Sequence, residues 1–226
     1  MDVLIVAAHP DDEVLGCGGT VARMVREENS VYIALLGEGI TSRYDERDGA
    51  DQGLVDALHA RSRKVAEVLG AAELFTYDLP DNRFDTVPLL DIVKIVEGLI
   101  ESLKPEVIYT HHGGDLNIDH QVVHRAVLTA SRPLAACPVK RLYAFEVPSS
   151  TEWSFGQLRP VFRPNVFTDI SATLEIKIEA MELYEDEARR FPHPRSPEAL
   201  RAIARKWGST AGMEAAEAFE LIREVR

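Results

Sequence analysis

The sequence predicts an α/β fold: a single domain over residues 1–226, with a mostly parallel sheet flanked by helices in the doubly wound, Rossmann-like manner. Three observations predict it. Short, almost wholly apolar runs recur at residues 3–8, 31–36 and 107–110, as expected of parallel strands covered on both faces. Segments of 3.6-residue apolar period stand between them, so strand and helix alternate as crossover connections require. The chain has 226 residues, 46% of them hydrophobic, which suits one substantial core better than two small ones.

The first strand, Val3-Leu4-Ile5-Val6-Ala7-Ala8, breaks into His9-Pro10-Asp11-Asp12-Glu13 and then Gly16-Cys17-Gly18-Gly19. A helix is predicted over residues 20–28, with Val21, Met24 and Val25 along one stripe. The second strand covers 31–36, and residues 37–53 read as a polar loop rich in charge. A helix over 54–69 stops at Gly70, a residue type suited to the left-handed closure of a helix. A short strand at 74–77 leads into the turn Pro80-Asp81-Asn82-Arg83. A helix over 89–102 feeds the strand at 107–110. Helix, strand and helix follow over 119–131, 141–147 and 174–189, with another amphipathic helix at 197–206. Residues 148–171 hold Trp153, Phe155, Phe162, Phe167 and three prolines, and read as irregular structure or as an antiparallel edge folded onto the sheet. The last two helices cover the sheet or face another subunit, so a homo-oligomer is compatible with the pattern.

A formal charge of -12 disfavours nucleic acid and anionic lipid as partners, because phosphate contacts need clustered Lys and Arg. A small polar or neutral molecule fits better. Cys17 and Cys137 lie far apart and outside any C-x-x-C pattern, which rules out a disulfide framework and a four-thiolate zinc site. Both read as reduced thiols of a cytoplasmic protein. No run approaches the ~20 apolar residues of a membrane helix, and no basic segment followed by a long apolar stretch opens the chain. No membrane partner is expected.

The chemistry concentrates in two clusters. One is His9-Pro10-Asp11-Asp12-Glu13; the other, His111-His112-Gly113-Gly114-Asp115-Leu116-Asn117-Ile118-Asp119-His120, also follows an apolar strand. In a parallel sheet both emerge at the carboxyl edge, where open α/β sheets keep their ligands. Pro10 fixes its own φ and restricts His9, so the first cluster leaves its strand in one direction. Two imidazoles, one carboxylate and an open position make a recognised catalytic zinc arrangement. The residues offer His9, one of Asp11 or Asp12, and one of His111, His112 or His120. The spare carboxylate is then free to act as a base, and Asp119 to orient the His120 ring. A lone histidine after a strand is more often structural; two clusters each joining His to Asp, both after apolar strands, favour a metal or catalytic site. Gly16-x-Gly18-Gly19 invites a dinucleotide reading, but the G-x-G-x-x-G spacing is absent and the adjacent carboxylates would repel a pyrophosphate. Tight turning and close helix packing account for these glycines.

Ala8-His9-Pro10-Asp11-Asp12-Glu13, with Gly16-x-Gly18-Gly19 after it and Asp119-His120 beyond the later strand, resembles the LmbE-like family of zinc-dependent N-deacetylases, also called the PIG-L family. Gly208-x-x-x-Gly212-x-x-x-Ala216-Glu217-Ala218-Phe219 is similar to an ending found in bacterial members, so the resemblance spans nearly the whole chain. It implies an LmbE-like fold and one Zn2+ per subunit, held by His9, Asp12 and His120, with Asp11 as general base. The implied reaction is hydrolysis of the acetamido group of an N-acetylglucosamine-type amino sugar to free amine and acetate. Members act on glycosylphosphatidylinositol, mycothiol and bacillithiol precursors, chitin disaccharides and antibiotic intermediates.

Glu38 and Arg43 fall where similar proteins place substrate contacts, and Arg43 suits a sugar hydroxyl or phosphate. The sequence departs from the family in one place. Many relatives read His-Pro-Asp-His in the second motif, the first His being credited with stabilising the oxyanion; here the stretch is Asn117-Ile118-Asp119-His120. Asn117, with Asp119 beside it, can donate a hydrogen bond at that place but cannot deliver a proton as imidazolium does. His111, His112 and His193 are the alternatives. The rigid loop Phe191-Pro192-His193-Pro194-Arg195-Ser196 is a candidate for the pocket rim, where His193 or Arg195 would touch substrate, with packing or simple surface exposure as the equal alternative. Trp153, Phe162 and Tyr184 could stack on a sugar, although such aromatics are more often core. Two rivals remain: a deacylase or amidase for a non-sugar amide or thiol conjugate, and a non-catalytic metal-binding protein. The spare carboxylate Asp11 argues against the second, since a structural metal site needs no base.

Overall fold

The structure is a computed structural model describing residues 1–44 and 47–226. Among the described residues the strands are β1 (Asp2–Ala7), β2 (Ser30–Gly37), β3 (Glu73–Leu79), β4 (Val107–His111), β5 (Arg141–Phe145), β6 (Val166–Asp169) and β7 (Ala216–Glu224). The helices are α1 (Asp12–Arg26), α2 (Gln52–Leu69), α3 (Leu89–Leu103), α4 (Ile118–Ala130), α5 (Leu174–Leu183) and α6 (Pro197–Ala211). All seven strands form one sheet in the order β3-β2-β1-β4-β5-β7-β6. The first five in that order run parallel. Strand β7 is antiparallel to both β5 and β6.

The expected mostly parallel α/β sheet is therefore present, closed on one side by an antiparallel pair. Alternation along β1 sends Val3, Ile5 and Ala7 into one core with α1, α2, α5 and α6. Leu4, Val6 and Ala8 enter the other with α3 and α4, as the two-residue period of a strand requires. Both faces are covered, which is why β1 reads as a continuous apolar run. No helix among the described residues is long and apolar enough to cross a membrane.

Several elements differ from expectation. Helix α1 begins at Asp12, not near residue 20, and carries the glycines inside it, with Cys17 leaving helical geometry at φ -150° and ψ 19°. A Cβ on Gly16 would meet the Phe145 ring at 2.3 Å, and one on Gly19 would meet Ile170 at 2.9 Å. Close packing is their use here. Helix α5 stops at Leu183 rather than 189, where Tyr184 leaves helical geometry and turns its buried hydroxyl onto Glu13. Residues 166–169 form an antiparallel edge, one of the two arrangements open to that region from its sequence. Strand β7 carries no clear apolar alternation, since the buried Glu217 interrupts it.

Strands β1 and β4 are neighbours, while the chain winds away from β1 toward β2 and from β4 toward β5. Their carboxyl ends thus border the crevice at the switch point of the sheet.

Candidate metal centre and cleft

The turn after β1 is built by backbone bonds. Ala8 donates its N–H to His111 Nε2 at 2.8 Å, and His9 donates its N–H to Asp12 Oδ2 at 2.8 Å. Asp12 and Glu13 occupy the first turn of α1, where negative charge suits the helix dipole. At the other cluster Asn117 caps α4, its side-chain oxygen accepting the Asp119 N–H at 2.8 Å, while Asp115 accepts the Asn117 N–H at 2.9 Å. This cap places Asp119 and His120 in the first turn, beside the β4 terminus.

His9, Asp12 and His120 offer ligand atoms that all lie within 4.8 Å of one another. Asp12 Oδ2 is 3.2 Å from His9 Nδ1 and 3.2 Å from His120 Nε2. The far nitrogen of each ring faces another carboxylate. His9 Nε2 lies 2.9 Å from Asp119 Oδ2 and 3.3 Å from Asp81 Oδ1, and His120 Nδ1 lies 3.1 Å from Asp115 Oδ1. Such outer carboxylates assign the proton to the far nitrogen and leave the near one as a lone-pair donor. The donor set therefore fits a divalent ion, with an open side toward the cleft.

Electrostatics point the same way. Burial opposes the charged ring of His9, yet Asp119 and Asp12 raise it well above its usual range. Burial likewise opposes His120, but Asp12 and Asp115 hold it at about 9. Asp12 stays well below the usual carboxylate range despite burial, chiefly through His120. The centre attracts positive charge, which protons or a metal can supply.

The structure separates the alternatives within each cluster. His111 is buried, stacked on His120 with centroids 3.9 Å apart, and spends Nε2 on the Ala8 N–H. His112 turns away, with Nδ1 2.9 Å from Glu220 Oε2 and Nε2 2.8 Å from the Pro160 carbonyl. Asp119 faces His9 instead of His120, and its other oxygen accepts the Phe84 N–H at 2.9 Å. The carboxylate beside His120 is Asp115, itself held by Ser150, by Thr151 Oγ1 at 2.5 Å, and by the Asn117 N–H. Neither Asp115 nor Asp81 stands out in the sequence as a site residue. His9, Asp81 and Asp119 also come within 4.8 Å of one another, but Asp81 Oδ2 accepts from Ser42 N and Oγ. This group reads as the cradle of the His9 ring.

A cleft of about 510 Å3 opens over the centre, lined by His9, Asp11 and His120 below and by Arg43, Asn117 and Arg195 above, among others. Asp11 Oδ2 accepts from Arg195 Nη1 at 2.5 Å. Burial raises the Asp11 carboxyl well above its ordinary range, against the pull of Arg195. Arg195 also donates to Ser149 Oγ at 2.7 Å and Glu187 Oε2 at 3.1 Å, and Arg43 pairs with the other oxygen of Glu187. Asn117 Nδ2 donates to Asn82 Oδ1 at 3.0 Å on the rim. His193 is not among the lining residues: its ring meets Trp153 edge-on and its Nδ1 accepts the Arg195 N–H. Glu38 is buried beneath the rim on Thr41 and Arg47. Tyr184 and Phe162 do not line the cleft either.

Comparison with known proteins agrees with this arrangement. The uncharacterized deacetylase YaiS of Escherichia coli (strain K12) is 27% identical over 189 residues, covering 81% of this chain and 90% of its own. The diacetylchitobiose deacetylase of Thermococcus kodakarensis is 26% identical over 231 residues, covering 97% and 82%. The crystal structure of the conserved protein TT1542 from Thermus thermophilus matches with TM-score 0.79 at 26% identity, over 100% of this chain and 96% of that one. The family model described as PIG-L, GlcNAc-PI de-N-acetylase, matches residues 4–131, which carry both clusters and more than half of the 226 residues. The chain belongs to the PIG-L family of de-N-acetylases, which are amide hydrolases.

Proposed function

We propose that this chain is a zinc-dependent N-deacetylase that hydrolyses the acetamido group of an N-acetylglucosamine-type substrate to the free amine and acetate. The observation that carries the reading is the meeting of His9 Nδ1, Asp12 Oδ2 and His120 Nε2 at the floor of an open cleft, with a further carboxylate, Asp11, beside them and not needed as a ligand. His9, Asp12 and His120 would hold one zinc ion per subunit. When bound, zinc in such a site supplies Lewis acidity, lowering the pKa of water and polarising a carbonyl.

Asp11 takes the proton from the attacking water as general base and returns it to the departing nitrogen. Asp119 and Asp115 face the far nitrogens of the His9 and His120 rings, so that with a metal bound the near nitrogens would serve as its lone-pair donors. Asn117 is the oxyanion candidate supported by position, because it lines the cleft and its amide has a second N–H besides the one given to Asn82. His111 spends Nε2 on the Ala8 N–H, and His112 spends both ring nitrogens on Glu220 and the Pro160 carbonyl. Arg43, Ser42 and Asn82 at the rim suit the hydroxyl groups of a sugar.

The test is acetate release by zinc-loaded protein from a panel of N-acetylglucosamine, its glycosides, diacetylchitobiose, and acetylated non-sugar amines and thiol conjugates. Turnover of the sugars is expected. Turnover confined to the conjugates would overturn the sugar assignment, and stoichiometric zinc with no turnover of any amide would overturn the enzymatic one.

A further inference from the structure

The first turn of α1 holds a carboxylate that neither the metal centre nor the proton transfer uses. Glu13 is 1% exposed. Its Oε2 accepts the backbone N–H of Asp11 at 3.0 Å, and its Oε1 accepts the Tyr184 hydroxyl at 2.7 Å. Both oxygens are thus spent on fixed partners, one in the turn before α1 and one at the end of α5.

Asp11 needs such a partner. Its backbone stands at φ 111° and ψ -29°, on the left-handed side where a side chain crowds its own backbone. It occupies the N-cap position of α1, where a carboxylate ordinarily folds back onto the helix amides. Here the side chain makes no capping bond. It reaches instead toward the cleft, where Arg195 Nη1 meets it. The Asp11 carbonyl does accept from Val14 and Leu15, so the helix start is formed, but those bonds fix the carbonyl and leave the side chain's direction open. The N–H of Asp11 is held by Glu13.

We infer that Glu13 is a positioning residue for the proposed base: by accepting the Asp11 N–H it holds the left-handed turn that aims the Asp11 carboxylate into the cleft, and Tyr184 holds Glu13. This rests on the role proposed for Asp11. It also gives the C-terminal segment, beyond the residues 4–131 matched by the family model, a part in the site: Tyr184 acts on Asp11 through Glu13, and Arg195 acts on the carboxylate directly.

The role requires an acceptor, not a charge, and this sets the test. Glu13→Gln keeps an oxygen for the Asp11 N–H and an amide for the Tyr184 oxygen, whereas Glu13→Met keeps length and volume and removes both acceptors. Glu13→Gln is expected to keep kcat close to that of the parent. Glu13→Met is expected to lower kcat roughly 100-fold, the scale of a 1 Å misplacement of a reacting group, with KM and zinc affinity preserved. A crystal structure of Glu13→Met should show Asp11 out of the positive-φ region and its carboxylate parted from Arg195. Equal loss in both variants would overturn the inference, as would Asp11 unmoved in the Glu13→Met crystal or loss of zinc in that variant. Should Glu13→Met fail to fold, Tyr184→Phe carries the same readouts: lowered kcat at constant KM supports the inference, and parent-like kcat with Asp11 unmoved overturns it. If the parent itself hydrolyses no acetylated amine, the deacetylase reading falls, while the crystal comparison still decides what holds Asp11.

Discussion

Arg195 Nη1 lies 2.5 Å from Asp11 Oδ2, joining two cleft-lining residues 184 positions apart in sequence. The Asp11 side chain is 3% exposed and that of Arg195 22%, so the pair is partly screened by solvent. Removing Arg195 leaves a buried carboxylate facing Asp12 and Glu187 without its cation. Arg195→Ala should therefore destabilise the fold by about 1–3 kcal/mol, the scale of an uncompensated buried polar group, and lower kcat. Arg195→Lys should recover part of both. Thermal melts and acetate release check this; a rise in KM alone would make Arg195 a substrate contact only.

Asp11→Asn separates base from ligand. The substitution keeps shape and removes proton acceptance, so zinc content should stay stoichiometric while kcat falls by about 10²–10⁴-fold, the range of general-base catalysis. Asp12→Ala and His120→Ala should lose zinc instead. Elemental analysis alongside initial rates distinguishes the two behaviours; parent-like turnover in Asp11→Asn would end its role as base.

The outer carboxylates give a third expectation. Asp115 is held at about 2, against burial, by His120 and its hydroxyl partners, so it is anionic at neutral pH. Asp115→Asn should weaken zinc binding by about 10–100-fold through His120, and Asp119→Asn should do the same through His9. Competition with a chelator of known affinity measures both. Parent-like affinity in Asp115→Asn would show that the His120 ring holds its orientation by packing on His111 alone.

That pairing also shows how far the sequence could be read. The strand ends, the two clusters and their convergence follow from hydrophobic pattern and sheet handedness, because β1 and β4 are continuous apolar runs. Which carboxylate serves which ring does not follow. Asp119 adjoins His120 in sequence, but consecutive residues on a helix point about 100° apart, so Asp119 reaches across to His9. Asp115, five residues before His120 and outside the helix, folds back onto it because Ser150 and Thr151 hold it there. Those hydroxyls lie beyond β5, and nothing local in sequence announces them. Strand β7 escaped for a similar reason: Glu217 is buried only because Lys177 and the Gly19 and Thr20 amides surround it.

Metal and proton compete for the same rings. With His120 at about 9 and His9 raised well above 6.5, the metal-free centre carries protons at neutral pH, and zinc must displace them. Apparent zinc affinity should rise as pH increases from about 7 toward 9. Titration calorimetry in buffers of different ionisation heat should register proton release at pH 7. Affinity independent of pH over that interval would place the bound ion elsewhere.

A last expectation concerns His112, which does not line the cleft. His112 lies between Glu220 Oε2 on β7 and the Pro160 carbonyl, and these partners raise it above 6.5 although burial works the other way. Glu220 is lowered below 4.5, against burial, chiefly by His112. A histidine raised in the folded state contributes stability that is complete below its unfolded pKa and is lost as pH climbs through the folded value. A lowered glutamate contributes stability present above its unfolded pKa and lost as pH falls through the folded one. The pair therefore supports the fold most between about 4.5 and 6.5, and its contribution fades on the alkaline side. His112→Asn should lower the melting temperature more at about pH 6 than at about pH 9. Because His112 turns its ring nitrogens away from Asp12, zinc content should be retained. A destabilisation equal at both pH values would mean that His112 serves by its shape and its neutral bond to Pro160, and that the charge shared with Glu220 adds nothing.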